Sequence, residues 1–305
     1  MDGGDGVRPS VVFILAIGAA LLLGVGSAVQ QRVAFQAPDG LALRVGLLWH
    51  LVRQRLWLLG LSATLLGGLL SGAALGRGSV VLVQPVLVLR LLFALSASAL
   101  WSRRPLRRRD WGVALAVTMG MVAFIVAGRP GTGNPEGVPA WDWAVAAAGI
   151  GTLTLLLVRS ARRLRPAQEA PMLAIGAGML YGLQSALTQS AVHRLSTHGL
   201  LGLLTSWQPY TVFMIGLIGT LLAQSAFDLA PLSVSYPPLA AAEPLSGIAI
   251  GIGVLGGTLR LTPGALAVEV AGLIVMTFAV YLLAASPHIV GHHLEPVNEP
   301  PDDAP

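Results

Sequence analysis

Apolar residues run along this chain in long blocks with few interruptions. A helix needs about 20 largely apolar residues to cross a bilayer core, and nine blocks approach or exceed that length: 11–30, 57–75, 79–101, 111–128, 142–158, 171–192, 208–228, 232–258 and 263–284. The pattern predicts an all-α polytopic membrane protein of about nine transmembrane helices. The block 142–158 is marginal in length, and 232–258 is long and interrupted by Pro237, Pro238 and Pro244. Two apolar stretches, 41–52 and 198–207, are too short to span straight and are expected to lie in the interface or to enter partway. Trp57, Trp101, Trp111, Trp141, Trp143 and Trp207 fall near predicted ends, where an amphipathic ring prefers the headgroup layer.

The blocks repeat. Residues 16–34, AIGAALLLGVGSAVQQRVA, match 174–192, AIGAGMLYGLQSALTQSAV, at nine of nineteen positions. The match resumes at an offset of 152 between 63–128 and 215–280, pairing Gly67 with Gly219, Ala74 with Ala226, Pro85 with Pro237, Gly112 with Gly264 and Gly120 with Gly272. The predicted organisation is an N-terminal segment 1–10, repeat 1 over 11–128, an unpaired linker helix 142–158, repeat 2 over 171–284 and a disordered tail 285–305. Duplicated helical bundles of this kind are common in secondary transporters, where a site lies between the halves.

Charge adds an orientation. The connections 31–56, 102–110 and 159–170 carry four, five and four arginines, whereas 76–78, 129–141, 193–207 and 259–262 carry one each. Positive loops stay cytoplasmic, so the N-terminus is expected outside and the C-terminus inside the cytoplasmic (inner) membrane. An odd number of spans then separates the first helices of the two copies, which makes the repeats inverted. Mean hydropathy of +0.74, with 54% hydrophobic and 11% charged residues, excludes a soluble domain. The net charge of +5 sits in short loops and is no nucleic-acid signal. Cysteine is absent, which removes disulfides, thiolate nucleophiles and thiolate metal sites.

Candidate chemistry lies inside the spans. Arg90 falls near the middle of 79–101, and Glu243 within 232–258. A charge at mid-bilayer costs about 2.5–3.5 kcal/mol on insertion scales and marks a function unless shown otherwise. Under the 152 offset Arg90 maps onto Ala242, the neighbour of Glu243, so the two are expected to meet between the halves. They would form a gate or a substrate-contacting pair, with Glu243 a proton carrier; the competing reading is a static bridge. Pro85 follows Gln84 and Pro237 follows Tyr236, and each proline frees a carbonyl and kinks its helix. The matched placement predicts bent helices around a cavity faced by Gln84 and Tyr236. Tyr181 and Gln184, mid-span, are further cavity candidates. Gln31, Gln189, Ser27 and Ser185 read as packing residues, and Glu269 reads as a carboxylate near the outer interface in preference to a second carboxylate facing the cavity. No histidine stands in a metal-binding context and no nucleotide or hydrolase motif occurs, so neither cofactor nor metal nor enzymatic activity is expected.

The segments SGAALGRGSVVLVQPVLVL (71–89) and QSAFDLAPLSVSYPPLAAAEPLSG (224–247) resemble the drug/metabolite transporter superfamily, in its EamA/NIPA-like nine-span branch. Both share its pattern of a helix ending in small residues, a tight turn and a following helix that carries a proline. The resemblance implies two inverted four-helix repeats moving a small organic solute by alternating access. Magnesium, the cargo associated with NIPA-like proteins, is disfavoured here because Arg90 would repel a cation unless Glu243 neutralised it. A non-transporting scaffold is the remaining alternative. The expected partners are membrane lipid, a small-molecule substrate and a second copy of the chain.

Overall fold

A computed structural model describes residues 9–38, 40–75, 83, 86–102, 108–131, 134, 137–260 and 262–284. The tail 285–305, the segment 76–82, Gln84 and Pro85 lie outside the described residues, as do residues 1–8 of the N-terminal segment. The described residues form helices and connecting turns without strands. In chain order the helices are α1 (Pro9–Ala34), α2 (Val45–Val52), α3 (Arg55–Leu75), α4 (Arg90–Ser102), α5 (Arg108–Gly128), α6 (Ala140–Ala161), α7 (Pro166–Leu204), α8 (Gln208–Leu229), α9 (Leu232–Gly253) and α10 (Pro263–Ala284).

Six stretches are long and apolar enough to cross a membrane, within α1, α3, α5, α6, α7 and α8, and two shorter apolar helices cover 86–101 and 263–279. The chain is a multi-pass, all-α membrane protein. α9 is long enough but falls short in apolarity, and the other helices largely bury it. The prolines expected to interrupt it do not break it: α9 runs as one helix across Pro237, Pro238 and Pro244. The block of only 17 residues, 142–158, becomes the 22-residue α6 once its flanking residues join the helix. α7 runs far beyond its predicted end and absorbs the start of the short stretch 198–207, turning only at Gly199, where φ is 69°.

Packing follows the small residues. In lipid no hydrophobic force drives helices together, so close backbone approach and hydrogen bonds decide which ones associate. α1 packs on α3 and α4, while α7 packs on α8 and α9. α5 pairs with α10, where a methyl placed on Gly120 would meet the Gly272 carbonyl oxygen at 2.8 Å and one on Gly272 the Gly120 carbonyl oxygen at 2.7 Å. Loops reinforce this seam at one end: the Gly131 N–H donates to the Thr258 carbonyl, Asn134 N–H to Leu255 and Arg260 N–H to Gly128, each at 2.8 Å. At the other end the Arg109 guanidinium donates to the Leu282 carbonyl. α6 leans chiefly on α7 and buries only Trp143, Thr154 and Ala161.

Three sequence expectations about single residues change. Trp57 and Trp143 are not interface markers, since each is only 3% exposed. Glu269 does not meet the outer interface. It is 4% exposed, packed beside Gly128, and its Oε1 has no hydrogen-bond partner. An apolar pattern alone does not tell a helix face turned to lipid from one turned to protein.

Candidate functional site

Arg90 opens α4, one residue after a backbone turn at Leu89. Glu243 lies midway along α9, directly before Pro244. That proline has no N–H to give the Ala240 carbonyl, so the ladder of α9 is relieved beside the carboxylate. The Arg90 Nη2 meets Glu243 Oε2 at 2.6 Å, a charge-assisted hydrogen bond. The side chains keep 15% and 24% of their surface accessible, so the pair is held inside the bundle without being sealed.

Equivalent glycines seat the two charged residues. A methyl on Gly24 of α1 would stand 2.5 Å from the Arg90 carbonyl oxygen and 2.9 Å from the Ala94 nitrogen. One on Gly182 of α7 would stand 2.5 Å from the Glu243 carbonyl oxygen and 2.6 Å from the Gly247 nitrogen. Gly24 and Gly182 are a matched, identical pair in the aligned segments 16–34 and 174–192. Arg90 thus stands to α1 as Glu243 stands to α7, and the one-residue offset to Ala242 suggested by sequence becomes direct correspondence. Each backbone comes so close to its glycine that the side chain is fixed in height and aim, and the two charges are thrown together.

Two phenols are carried on the helices that seat Glu243. The Tyr236 hydroxyl is 3.3 Å from Ser27 Oγ of α1, and its ring tilts against Phe227 at a centroid distance of 6.3 Å. Tyr181 shares a 3.3 Å hydrogen bond with Thr220 of α8 and packs its ring on Gly219. Tyr236 lies seven residues before Glu243, on the same face of α9, and Tyr181 adjoins Gly182, which packs on the Glu243 backbone. Of the residues predicted from sequence, Arg90, Glu243, Tyr236 and Tyr181 therefore come together. Gln184 instead lays its amide over Gly216 of α8, and Gln84 lies outside the described residues.

A second polar group was hidden in the sequence. The Trp57 indole N–H donates to Gln224 Oε1 at 3.1 Å, Gln224 Nε2 donates to Gln30 Oε1 at 2.8 Å, and Gln30 Nε2 donates to Thr64 Oγ1 at 2.8 Å. Gln31 Nε2 reaches the Ala230 carbonyl at 3.4 Å, and the Leu43 N–H donates to Ser225 Oγ at 2.8 Å. Gln30, Gln31 and Ser27 share one face of α1, a periodicity readable in the sequence, but nothing there names Trp57 or Gln224 as partners.

Two surface grooves flank α6. One of about 250 Å³ is lined by Trp143, Leu187 and Trp207, and the other, of about 500 Å³, by Trp141, Leu153 and Ala249 among others. Neither includes the ion pair. Among the described residues no three His, Asp or Glu side chains gather as a metal site.

What this arrangement can do chemically is limited and specific. A charge pair in a low-dielectric bundle holds two helices together while it is intact and frees them when a proton or a competing ligand takes one partner. No family model and no solved structure matches the chain. An uncharacterized protein of Corynebacterium glutamicum is 33% identical over 249 residues, a match that covers 80% of this chain and 84% of that protein. A likeness of that depth, running through at least four fifths of both chains, places this protein in the same family as the Corynebacterium protein.

Proposed function

We propose that the protein is a secondary transporter of the drug/metabolite type, which carries a small organic solute across the cytoplasmic membrane by alternating access. In this reading nine spans form two inverted repeats, α1–α5 and α7–α10, joined by α6 as the helix that reverses the second copy. The observation that carries it is the Arg90–Glu243 pair, joined at 2.6 Å between helices that occupy corresponding places in the two halves. The contact of Gly120 with Gly272, residues 152 positions apart, supports the same pseudo-twofold relation. Residues that correspond under a twofold axis can touch only near that axis, and transporters built from inverted repeats bind their cargo there.

Arg90, Glu243, Tyr236 and Tyr181 line the substrate site, and Glu243 carries the coupling proton. Protonating Glu243 releases Arg90 to a polar or anionic group of the solute, and losing that proton restores the pair and expels the cargo. A divalent cation fits poorly, because the carboxylate it would need already faces a guanidinium.

The test begins with purified protein and a thermal-shift screen of metabolites, amino acids and divalent cations, since a ligand selective for the folded form raises apparent stability. A stabilising solute is then followed into proteoliposomes with and without a pH gradient. The expected result is gradient-driven uptake by the parent and gradient-independent exchange by Glu243→Gln. Unchanged coupling in that variant overturns the proton role, and the absence of flux for every stabilising ligand overturns the transporter reading.

A further inference from the structure

The two halves are not equal where they meet. Three residues on one face of α1 reach into the second half: Ser27 to Tyr236, Gln30 to Gln224 and Gln31 to the Ala230 carbonyl. Trp57 and Thr64 of α3 complete the Gln30–Gln224 network, and the turn before α2 adds the Leu43–Ser225 bond. Apart from the Ser27–Tyr236 bond, which belongs with the ion pair, these contacts lie toward one end of the bundle, where α1 finishes, α3 begins and α8 finishes.

The repeat offsets locate the corresponding place at the opposite end. Adding 158 to Gln30 gives Thr188 of α7, and subtracting 152 from Gln224 gives Gly72 of α3. Nothing joins them. Thr188 is exposed and turns its hydroxyl back to the Gln184 carbonyl at 2.7 Å. Gly72 is exposed, and a methyl there would meet no atom within 4 Å. Among the described residues α3 and α7 have no contact of the extent that α1 and α8 have. One end of the seam is latched and its counterpart stands apart.

We propose that Gln30, Gln224 and Trp57 are positioning residues of one transport gate, and that α7 around Thr188 and α3 around Gly72 form the opposing gate, which closes when the first opens. The proposal rests on the inverted-repeat reading given above. An alternating device must break one closure to make the other, and two chemically different closures at corresponding positions are what a duplicated and diverged gate leaves behind. The Gln30–Gln224 latch is directional and dry, so it sets the resting state, whereas the Thr188–Gly72 face offers only a close backbone approach and yields readily.

The absence of cysteine makes the test clean. Leu43→Cys is paired with Ser225→Cys, positions that meet beside the latch and leave Gln30 and Gln224 in place, and Thr188→Cys with Gly72→Cys, in full-length protein reconstituted in nanodiscs and treated with a short bis-maleimide. The 43/225 pair is expected to cross-link in most molecules at rest and the 188/72 pair in a small fraction. In the fourfold variant, mass spectrometry should find the two cross-links in different molecules. Adding Gln224→Leu to the 188/72 pair should raise its cross-linking at least threefold, a response that a merely structural network would not give. Both cross-links in one molecule, or no 188/72 product even with Gln224→Leu, overturns the proposal. Cross-linking needs no solute, so its outcome does not depend on whether a cargo is found. Solute flux through protein joined at either pair would overturn the gates while leaving transport standing.

Discussion

At the scale of the residue, the Arg90–Glu243 pair is costly to half-remove. Deleting one member of a largely buried pair leaves the other charge unpaired, a loss of about 3–5 kcal/mol, whereas replacing both with apolar groups of similar size is often neutral. Arg90→Met alone and Glu243→Leu alone are therefore expected to destabilise the protein in detergent, and the double variant to recover most of the loss, as read by denaturant unfolding. Additive losses would mean that the pair is not coupled. Both partners were legible in the sequence because an ionisable residue amid apolar ones stands out. Trp57, Gln30 and Gln224 were not, since an indole near a predicted helix end reads as an interface anchor and an amide as ordinary polarity. Glu269 was misjudged for a related reason: its distance along the helix was readable, but the direction it faces depends on α5.

At the scale of the element, glycines decide where helices touch. Gly24 and Gly182 each hold a partner backbone so near that a side chain must push the helix away. Gly24→Val and Gly182→Val should each unseat one member of the ion pair and lower the melting temperature by several degrees in a fluorescence thermal scan, while Gly149→Ala, on the open face of α6, should leave it within one or two degrees. Equal tolerance at all three positions would contradict the packing described. The sequence showed Gly24 and Gly182 as a repeated pair, and helix positions followed from hydropathy. Which helix each glycine meets did not, because in-register matching of the copies put Ala242 opposite Arg90, one residue from the correspondence set by the backbone contacts. Helix ends were also uncertain where polar residues continue a helix beyond its apolar block, as in α6 and α7.

At the scale of the whole molecule, arginine placement and packing bear on each other. Arg32, Arg44, Arg53 and Arg55 lie at the end of α1, around α2 and at the start of α3, the same end as the Gln30–Gln224 latch. Arg32 stacks over Trp101 at 5.2 Å and Arg53 over Trp49 at 4.6 Å, which suits side chains at a headgroup layer. With these arginines cytoplasmic, the exposed Ser10 at the start of α1 faces outward. Ser10→Cys is expected to react with an impermeant maleimide in intact cells. Labelling only after the membrane is opened would reverse the orientation and, with it, the side on which the latch closes.

The seam of α5 and α10 sets what kind of motion such a molecule has available. Each of Gly120 and Gly272 lies against the other's carbonyl with no space for even one carbon between them. Sliding along that contact would drive a neighbouring side chain into backbone, whereas tilting about it costs little. A glycine pair of this kind would serve as a fulcrum: displacements grow with distance from it, so helices that pack against neither α5 nor α10, such as α3 and α8, would travel most for a given swing.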